Sequence, residues 1–513
     1  MRTLNAILVP TALAALLAGC GGGDGNDSNN GAAPLTVPRV ASCQTSDVPE
    51  TGLQGQVPAV LRTGFKGFNC NLTLQSEVRN ANGTWSAATV TDNSGRRCAY
   101  HATQDQGVPV VDVTDPTNAK QTQTLTTTAM KNPWESLRVN DRRKLLVADD
   151  GKSSNFGSAA LDVYDVGTDC TNPQLLATVL VGTGLPNEPI VTSVSGHEGN
   201  FAPDGLTYYI GDIVHNQYRA IDLTDATKPR LIATFDTKSA KLGGTHGLSV
   251  SEDGTRVYAV STSGPTLAQV VDPTTPATNG FMILDTSEVQ ARKAGAQIKL
   301  VSSATFRDGS VAQHTIPFKS AANPGKSFLV QVDEGGGGGI NISVTSTGYT
   351  LGPLSDAVSA ACSVGFAPFP MGRIYDISDE LRPAPVSKLM LETHDPANCS
   401  TIIPDLTGVT IFGYGSHYCT VDSRANATAM ACGYFNSGVR VFDIRDPSRP
   451  KEIAYYNPAS PTGAAPDKCT ARVDFDYARG LLTTMCQGTG ELVLKFAPGT
   501  WPFKESTPSA EQS

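Results

Sequence analysis

Apolar and polar residues alternate in short runs along almost the whole chain, and the runs fall into lines that read alike. "GVPVVDVTDPTNAKQTQTL" from Gly107, "ALDVYDVGTDCTNPQLLATV" from Ala160, "YRAIDLTDATKPRLIATF" from Tyr218 and "GVRVFDIRDPSRPKEIAYY" from Gly438 are variants of one line. Looser copies begin at Gly280 ("GFMILDTSEVQ") and Gly372 ("GRIYDISDELRPAPVSKLML"), and a worn copy, "GELVLKFAPGTWPF", begins at Gly490. Alternation with period two marks a half-buried strand. Each of the six clearer copies closes its strand on an aspartate: Asp112, Asp165, Asp222, Asp285, Asp376 and Asp443. An Asp side chain accepts hydrogen bonds from backbone N–H groups about two residues on, and Pro presets φ, so each line predicts strand, turn, strand.

Between the copies lies a second pattern, clearest in "HGLSVSEDGTRVYAV", with an Asp-Gly turn joining two strands. Four strands per unit, repeated at spacings of roughly fifty to seventy residues, are the grammar of propeller blades. An open solenoid is the competing arrangement, and the four-strand unit fits radial closure better. The expectation is an all-β chain, a β-propeller of seven four-stranded blades over residues 38–505, with a long inserted loop at about 335–371 and a C-terminal tail at 506–513. The last copy lacks a fourth strand, and a strand within Gln56 to Leu61 is expected to complete it and close the ring. The insertion, with "EGGGGGI" and Cys362, either covers one face or is a surface excursion.

Composition supports this reading. In 513 residues there are 50 Gly and 33 Pro and only 7% aromatics, which suits a turn-rich β protein better than a helical one. A net charge of -9 without a basic run excludes non-specific nucleic-acid binding, which needs clustered Lys and Arg. At the N-terminus, Arg2 precedes an apolar stretch, Ala6 to Leu17, too short to span a bilayer. Leu17-Ala18-Gly19-Cys20 resembles a bacterial lipobox. That resemblance implies a signal peptide at 1–19, lipidation of Cys20 and, with Gly21 following, an outer-membrane lipoprotein. Residues 20–37 are Gly- and Asn-rich and read as a flexible tether.

Of the 11 cysteines, setting Cys20 aside leaves an even number, which in an exported chain favours disulfides. Cys419 and Cys432 flank one predicted hairpin, and Cys469 and Cys486 another, so each pair is expected to bond across strands. Cys70 with Cys98 is expected to do the same. Cys43, Cys170, Cys362 and Cys399 stay unassigned.

The phrases "VVDVTDP" and "RVFDIRDPSRPKEI" resemble the LVIVD-repeat family of bacterial and archaeal surface proteins, and "GYGSHYCTVDSR" and "GHEGNFAPDG" resemble a lipoprotein or secreted subgroup of it. The resemblance implies a β-propeller at the cell surface. It implies no established reaction.

Candidate chemistry comes from one register. His197 precedes Asp204-Gly205 by the same interval as His246 precedes Asp253-Gly254. Counting back equally from the apolar residue that leads into each inner turn selects Glu135, His197, His246, His314 and His417. If the first strand of each blade lines the channel, these side chains share one height. Imidazole with carboxylate is the donor set of Zn, Cu, Fe or Ni, so a divalent transition metal, Cu or Zn, is the expected cofactor. The structural alternative is that each His only hydrogen-bonds channel water or backbone. Asp149, Asp150, Asp212, His215, Asp333, Glu334 and His101, at the ends of second strands, are expected near the same mouth. The three Trp, Trp134 among them, read as blade packing, and the glycine run from Gly335, which lacks a P-loop ending, as a mobile loop.

Two functions follow. One is a lipid-anchored surface propeller, held to the membrane by its anchor, that binds a protein or small-molecule partner and carries a metal in the channel mouth. The alternative is a metal-dependent enzyme. It would be a copper-type oxidoreductase, by architectural similarity to the selenium-binding-protein type of propeller, or a hydrolase using metal-activated water, with Glu135 or Glu198 as acid/base.

Overall fold

The computed structural model describes residues 36–80, 82–151, 160–180, 196–339, 342–345, 348–409, 411–461 and 466–504. The expected signal peptide, Cys20, most of the tether and the C-terminal tail lie outside the described residues. Among those described, seven four-stranded antiparallel blades form a ring, a seven-bladed β-propeller. The innermost strands, in blade order, are Gly83–Thr91, Arg138–Asn140, Glu198–Phe201, Leu248–Val250, Gly309–Phe318, Ser416–Val421 and Asp474–Asp476. Inner strands of the first six blades pack on one another in turn around the channel.

The repeated aspartates act as their chemistry predicts. Asp112, Asp165, Asp222, Asp285, Asp376 and Asp443 each accept, at 2.9–3.0 Å, the N–H two residues on: Thr114, Gly167, Thr224, Ser287, Ser378 and Arg445. This bond satisfies a backbone donor that has just left the ladder and turns the chain toward the fourth strand. One residue before each aspartate, the pairing of third with fourth strand shifts register, as between Val110 and Val111, Ala220 and Ile221, and Val441 and Phe442. A bulge at this place increases the twist of the outer edge of the blade.

Apolar side chains fill the spaces between blades. Tyr100, Val110, Leu146 and Ala148 pack between the first two, and Tyr209, Tyr218, Val257 and Met282 between the third and fourth. Burying each of the larger ones contributes about 1.5–3 kcal/mol.

Ring closure differs from expectation. The strand that completes the last blade is Leu72–Val78, paired with Gly490–Phe496 from Leu72↔Phe496 to Val78↔Glu491. The segment Gln56 to Leu61 instead enters a single helical turn, Ala59–Arg62. Asp405 captures it: its carboxylate accepts from Gln56 Nε2 at 2.8 Å, from the Ala59 N–H at 2.7 Å and from Arg62 Nη2 at 2.8 Å. Between these segments, Phe68–Cys70 pairs with the outer strand of the sixth blade as a fifth strand.

The disulfides are Cys43–Cys70, Cys98–Cys170, Cys362–Cys399, Cys419–Cys432 and Cys469–Cys486. The bonds within the two hairpins are those expected. Cys70 does not pair with Cys98, because Cys70 lies on the added edge of the sixth blade while Cys98 lies on the second strand of the first. Cys98 instead ties the first blade to the second through Cys170.

The insertion leaves the second strand of the fifth blade after Gly336 and returns at Gly372. It carries a hairpin, Ile342–Thr345 with Gly348–Leu351, and a helix, Leu354–Ser363, bonded through Cys362 to Cys399. Val358 of this helix packs with Phe369, Ile402 and Tyr414. The glycine run is not a loose loop: Gly335–Gly339 is buried, and a Cβ on Gly338 would fall 1.7 Å from the Ala357 carbonyl oxygen. Glycine there permits helix and strand end to touch. Among the described residues, no helix is long and apolar enough to cross a membrane.

Candidate metal centre in the channel

Adjacent inner strands are stitched together at the height selected by the register. The Glu135 N–H donates to the His197 carbonyl at 3.0 Å, and the Gly247 N–H to the Gln313 carbonyl at 2.8 Å. Gly247 is required here, since a Cβ would lie 2.0 Å from Glu198 Oε2 and 2.3 Å from Gln313 O. The first effect of this stitching is to bring Glu135, His197, His246 and His417 together. Glu334, from the end of a second strand, joins them.

Glu135 is the hub. Its Oε1 lies 3.4 Å from His417 Nε2 and 3.8 Å from His197 Nε2. Its Oε2 accepts hydrogen bonds from Gln313 Nε2 at 2.8 Å and Tyr418 Oη at 3.1 Å, and lies 3.8 Å from His246 Nδ1. Glu334 completes the cluster, 3.3 Å from His417 Nε2 and 3.7 Å from His246 Nε2. Glu135 is 1% exposed and His417 fully buried.

These separations have chemical meaning. They are longer than good N–H···O bonds, and His417 Nε2 makes no hydrogen bond. Donors bound tetrahedrally at 2.0–2.1 Å to one ion stand about 3.3 Å apart. The donor atoms form two overlapping sets, Glu135 with His197 and His246, and Glu135 with Glu334 and His417, each within 4.8 Å throughout. At His417 and His246 the outer nitrogen is held as metal-ligating imidazoles hold theirs, against a main-chain carbonyl, while His197 Nδ1 is buried without a partner. His417 Nδ1 donates to Thr470 O at 2.6 Å and His246 Nδ1 to Gln313 O at 3.1 Å.

Aromatic rings wall the cluster. Trp85 lies 5.3 Å from the His417 ring, Phe435 5.2 Å from it, and Trp134 6.0 Å from His197. Trp85 and Trp134 therefore border the site rather than only filling blades.

Burial works against charge throughout, yet the carboxylates prevail at two imidazoles. Glu135 and Glu198 with Glu334 lift His246 to about 9, and Glu135 with Glu334 lift His417 to about 10. His197 goes the other way, to about 3, through burial and the positive His246 beside it. Glu135 resists burial and is held well below the usual carboxylate range by His246, His417 and His197. Burial raises Glu198, which sits 3.6 Å from His246 Nδ1 and pairs with Arg138 at 3.0 Å.

His314 does not join the ring. The inner strand of the fifth blade carries a bulge between Ala312 and His314, next to Val311 at φ 51°. One inserted residue moves a strand's side chains to the opposite face. Gln313 takes the cluster position, and His314 turns away to bond Cys419 O at 3.2 Å, its ring 4.7 Å from that of Tyr418 and tilted to it.

The expected mouth residues divide. Of these only Glu334 reaches the cluster. Asp333 pairs with Arg373, Asp212 with Arg219 at 2.9 Å and His215 at 2.8 Å, and His101 with Glu491 at 2.9 Å. Asp149 is buried beside Gly196, and burial together with Asp150 and Asp212 raises its carboxyl well above the usual range. Cys43, Asp47 and Cys70 also lie close together, but both sulfurs are in one disulfide and cannot ligate.

Gln313, Tyr418 and Trp85 were not legible as site residues. "AQH" beside a bulge is the nearest signal for Gln313, and the other two have none.

No known protein-family profile matches this chain, and no curated protein matches it. Among solved structures it is similar to Kuenenia stuttgartiensis hydrazine synthase, at 10% identity and a TM-score of 0.47, covering 82% of this chain and 98% of that one. It is also similar to the Cps50 (Swd1) β-propeller domain of Myceliophteria thermophila, at 10% identity and a TM-score of 0.44, covering 82% of this chain and 99% of that one.

Proposed function

We propose that this chain is an exported, lipid-anchored β-propeller that binds a divalent transition metal, zinc or copper, at one end of its channel and acts as a binding module. The observation that carries the reading is the Glu135 cluster. Three imidazoles and two carboxylates from separate blades form two sets at ligand spacing that share Glu135, with His417 Nε2 buried and unpartnered. Residues that served only to brace the channel would close these gaps into hydrogen bonds. Glu135 would hold the ion either with His197 and His246 or with His417 and Glu334, the two sets at ligand spacing. Export is supported by five disulfides and by the lipobox-like segment ending at Cys20.

One observation favours the enzyme alternative. Glu198 is buried beside His246, its carboxyl is raised, and its Oε2 makes no hydrogen bond, the condition of a proton donor in waiting. In that reading the metal supplies Lewis acidity or redox chemistry, and Glu198 holds or moves the proton.

Metal analysis of the tag-free exported protein tests the proposal. About one zinc or copper per chain, lost in a His197→Ala, His417→Ala double variant, is expected. Metal content equal in parent and variant would overturn it. Turnover of a small thiol or ester abolished by Glu198→Gln would move the assignment to the enzyme.

A further inference from the structure

Beside the Glu135 cluster lies a small cavity of about 40 Å³, lined by Arg138, Glu198, His314, Tyr418, Arg424 and Arg472. Its charges are unevenly answered. Arg138 pairs with Glu198 at 3.0 Å and Arg472 with Asp474 at 3.0 Å. Arg424 meets only main-chain oxygens, Pro317 O at 3.3 Å and Val250 O, and no described carboxylate lies within ion-pair distance of it. Arg424 is only partly buried and is left without a carboxylate partner on the cavity side. Burial, with Arg472 adding to it, pulls Arg424 down to about 10.

Three further polar atoms on this wall lack hydrogen-bond partners: Glu198 Oε2, which also lines the cavity, and two donors. Arg138 Nε and Thr420 Oγ1 are buried without a hydrogen bond, in side chains that are 2% and 6% exposed. Buried polar groups left open beside an unpaired cation describe half of an interaction. The cavity has room for about three water-sized groups, enough for the oxygens of one carboxylate or phosphate. Arg424 also lines a groove of about 730 Å³ between the fourth and fifth blades, bordered by Tyr258, Phe318 and Ile377. This groove gives the body of a larger ligand a place to rest outside the channel.

We infer that this cavity is a binding site for the oxyanion group, carboxylate or phosphate, of a small anionic ligand, with Arg424 as its principal cation and Arg138 Nε and Thr420 Oγ1 completing the contacts. The site adjoins the metal cluster through Tyr418 and Glu198 but shares none of its histidines.

Calorimetric titration with inorganic phosphate, acetate and benzoate tests this. Phosphate separates a phosphoryl ligand from a carboxylate, and benzoate against acetate reports use of the groove. The parent should bind at least one of the three saturably, one per chain, and more weakly as chloride rises. Arg424→Met should weaken binding at least tenfold, Arg424→Lys less, and Thr420→Val by a few fold. Arg382→Met, at a side chain 86% exposed, should change nothing. His417→Ala, which removes a metal donor, should leave anion binding intact. The Lys variant keeps the charge and covers the case in which the Met variant fails to fold. No saturable binding of any probe, or equal binding by the parent and both Arg424 variants, would overturn the inference.

Discussion

His417 Nε2 stands 3.4 Å from Glu135 Oε1, and the two residues come from blades on opposite sides of the channel, the sixth and the second. Glu135 Oε2 is already engaged by Gln313 and Tyr418, so the carboxylate is fixed with its other oxygen free toward His417 and His197. Glu135→Gln keeps the shape and removes the charge. It should weaken zinc binding by at least tenfold and, with its chief positive influence gone, lower the pKa of His417. Competition with a chromophoric chelator measures the first, and NMR titration of the imidazole the second. Unchanged affinity would remove Glu135 from the ligand set.

Protons should leave when the metal enters. Glu135 and its neighbours hold His246 and His417 charged to about 9 and 10, whereas an unfolded histidine titrates near 6.5. Each ligand set contains one of the two, which must be deprotonated at pH 7.5 to ligate, so about one proton is released per ion. Calorimetry in buffers of different ionisation enthalpy reads that number directly. The same shifts give the metal-free protein stability that is complete below pH 6.5 and fades as pH rises through 9 to 10. Affinity for the ion runs the other way, stronger at neutral pH than at pH 5. A release of no protons would show that these imidazoles are not the ligands.

Arg440 is a test of the N-terminal segment rather than of the site. Fully buried, it pairs with Glu50, which lies upstream of the ring-closing strand, and with Glu452 at 2.5 Å. Arg440→Met leaves both carboxylates buried without a cation. The expected loss is about 3–5 kcal/mol in chemical denaturation. Glu50, lifted to about 7 chiefly by burial, should then take up a proton more readily still. A loss below about 1 kcal/mol, the range of exposed ion pairs, would contradict the burial of this group.

Peptide mapping without reduction should recover Cys43 bonded to Cys70, Cys98 to Cys170 and Cys362 to Cys399, beside the two hairpin bonds. Cys20→Ser should release a folded protein from the membrane fraction. Retention after a salt wash would contradict the proposed lipid anchor, and a Cys70–Cys98 peptide would contradict the blade assignment.

What could be read from the chain alone follows from the range over which each feature acts. The blade is a local unit: the alternation, the Asp that closes the third strand and the Asp-Gly turn of the inner hairpin lie within a few residues of one another. Gly205 and Gly254, at φ +72° and +74°, occupy the turns they mark. The convergence of Glu135, His197, His246 and His417 was visible because all are held in register with such turns. His314 failed through one residue, the bulge at Gln313, whose cause is the path of the backbone rather than any side chain named in the pattern. Ring closure by Leu72–Val78 and the partners of Cys70 and Cys98 are choices between distant segments. Nothing local distinguishes one edge of the ring from another. Glu334 was placed at the right end of the channel, but only its geometry beside His417 and His246 separates it from Asp333 one residue earlier.

The central claim is that the Glu135 cluster holds one metal ion through residues of several blades. X-ray absorption at the zinc edge, on protein reconstituted with one equivalent of zinc, tests it most directly. The account predicts a shell of nitrogen and oxygen neighbours at about 2.0–2.1 Å, with the outer scattering of imidazole and no sulfur. That imidazole signal should shrink in His417→Ala or in His197→Ala, according to which set holds the ion. An all-oxygen shell without imidazole scattering, identical in the parent and both variants, would contradict it.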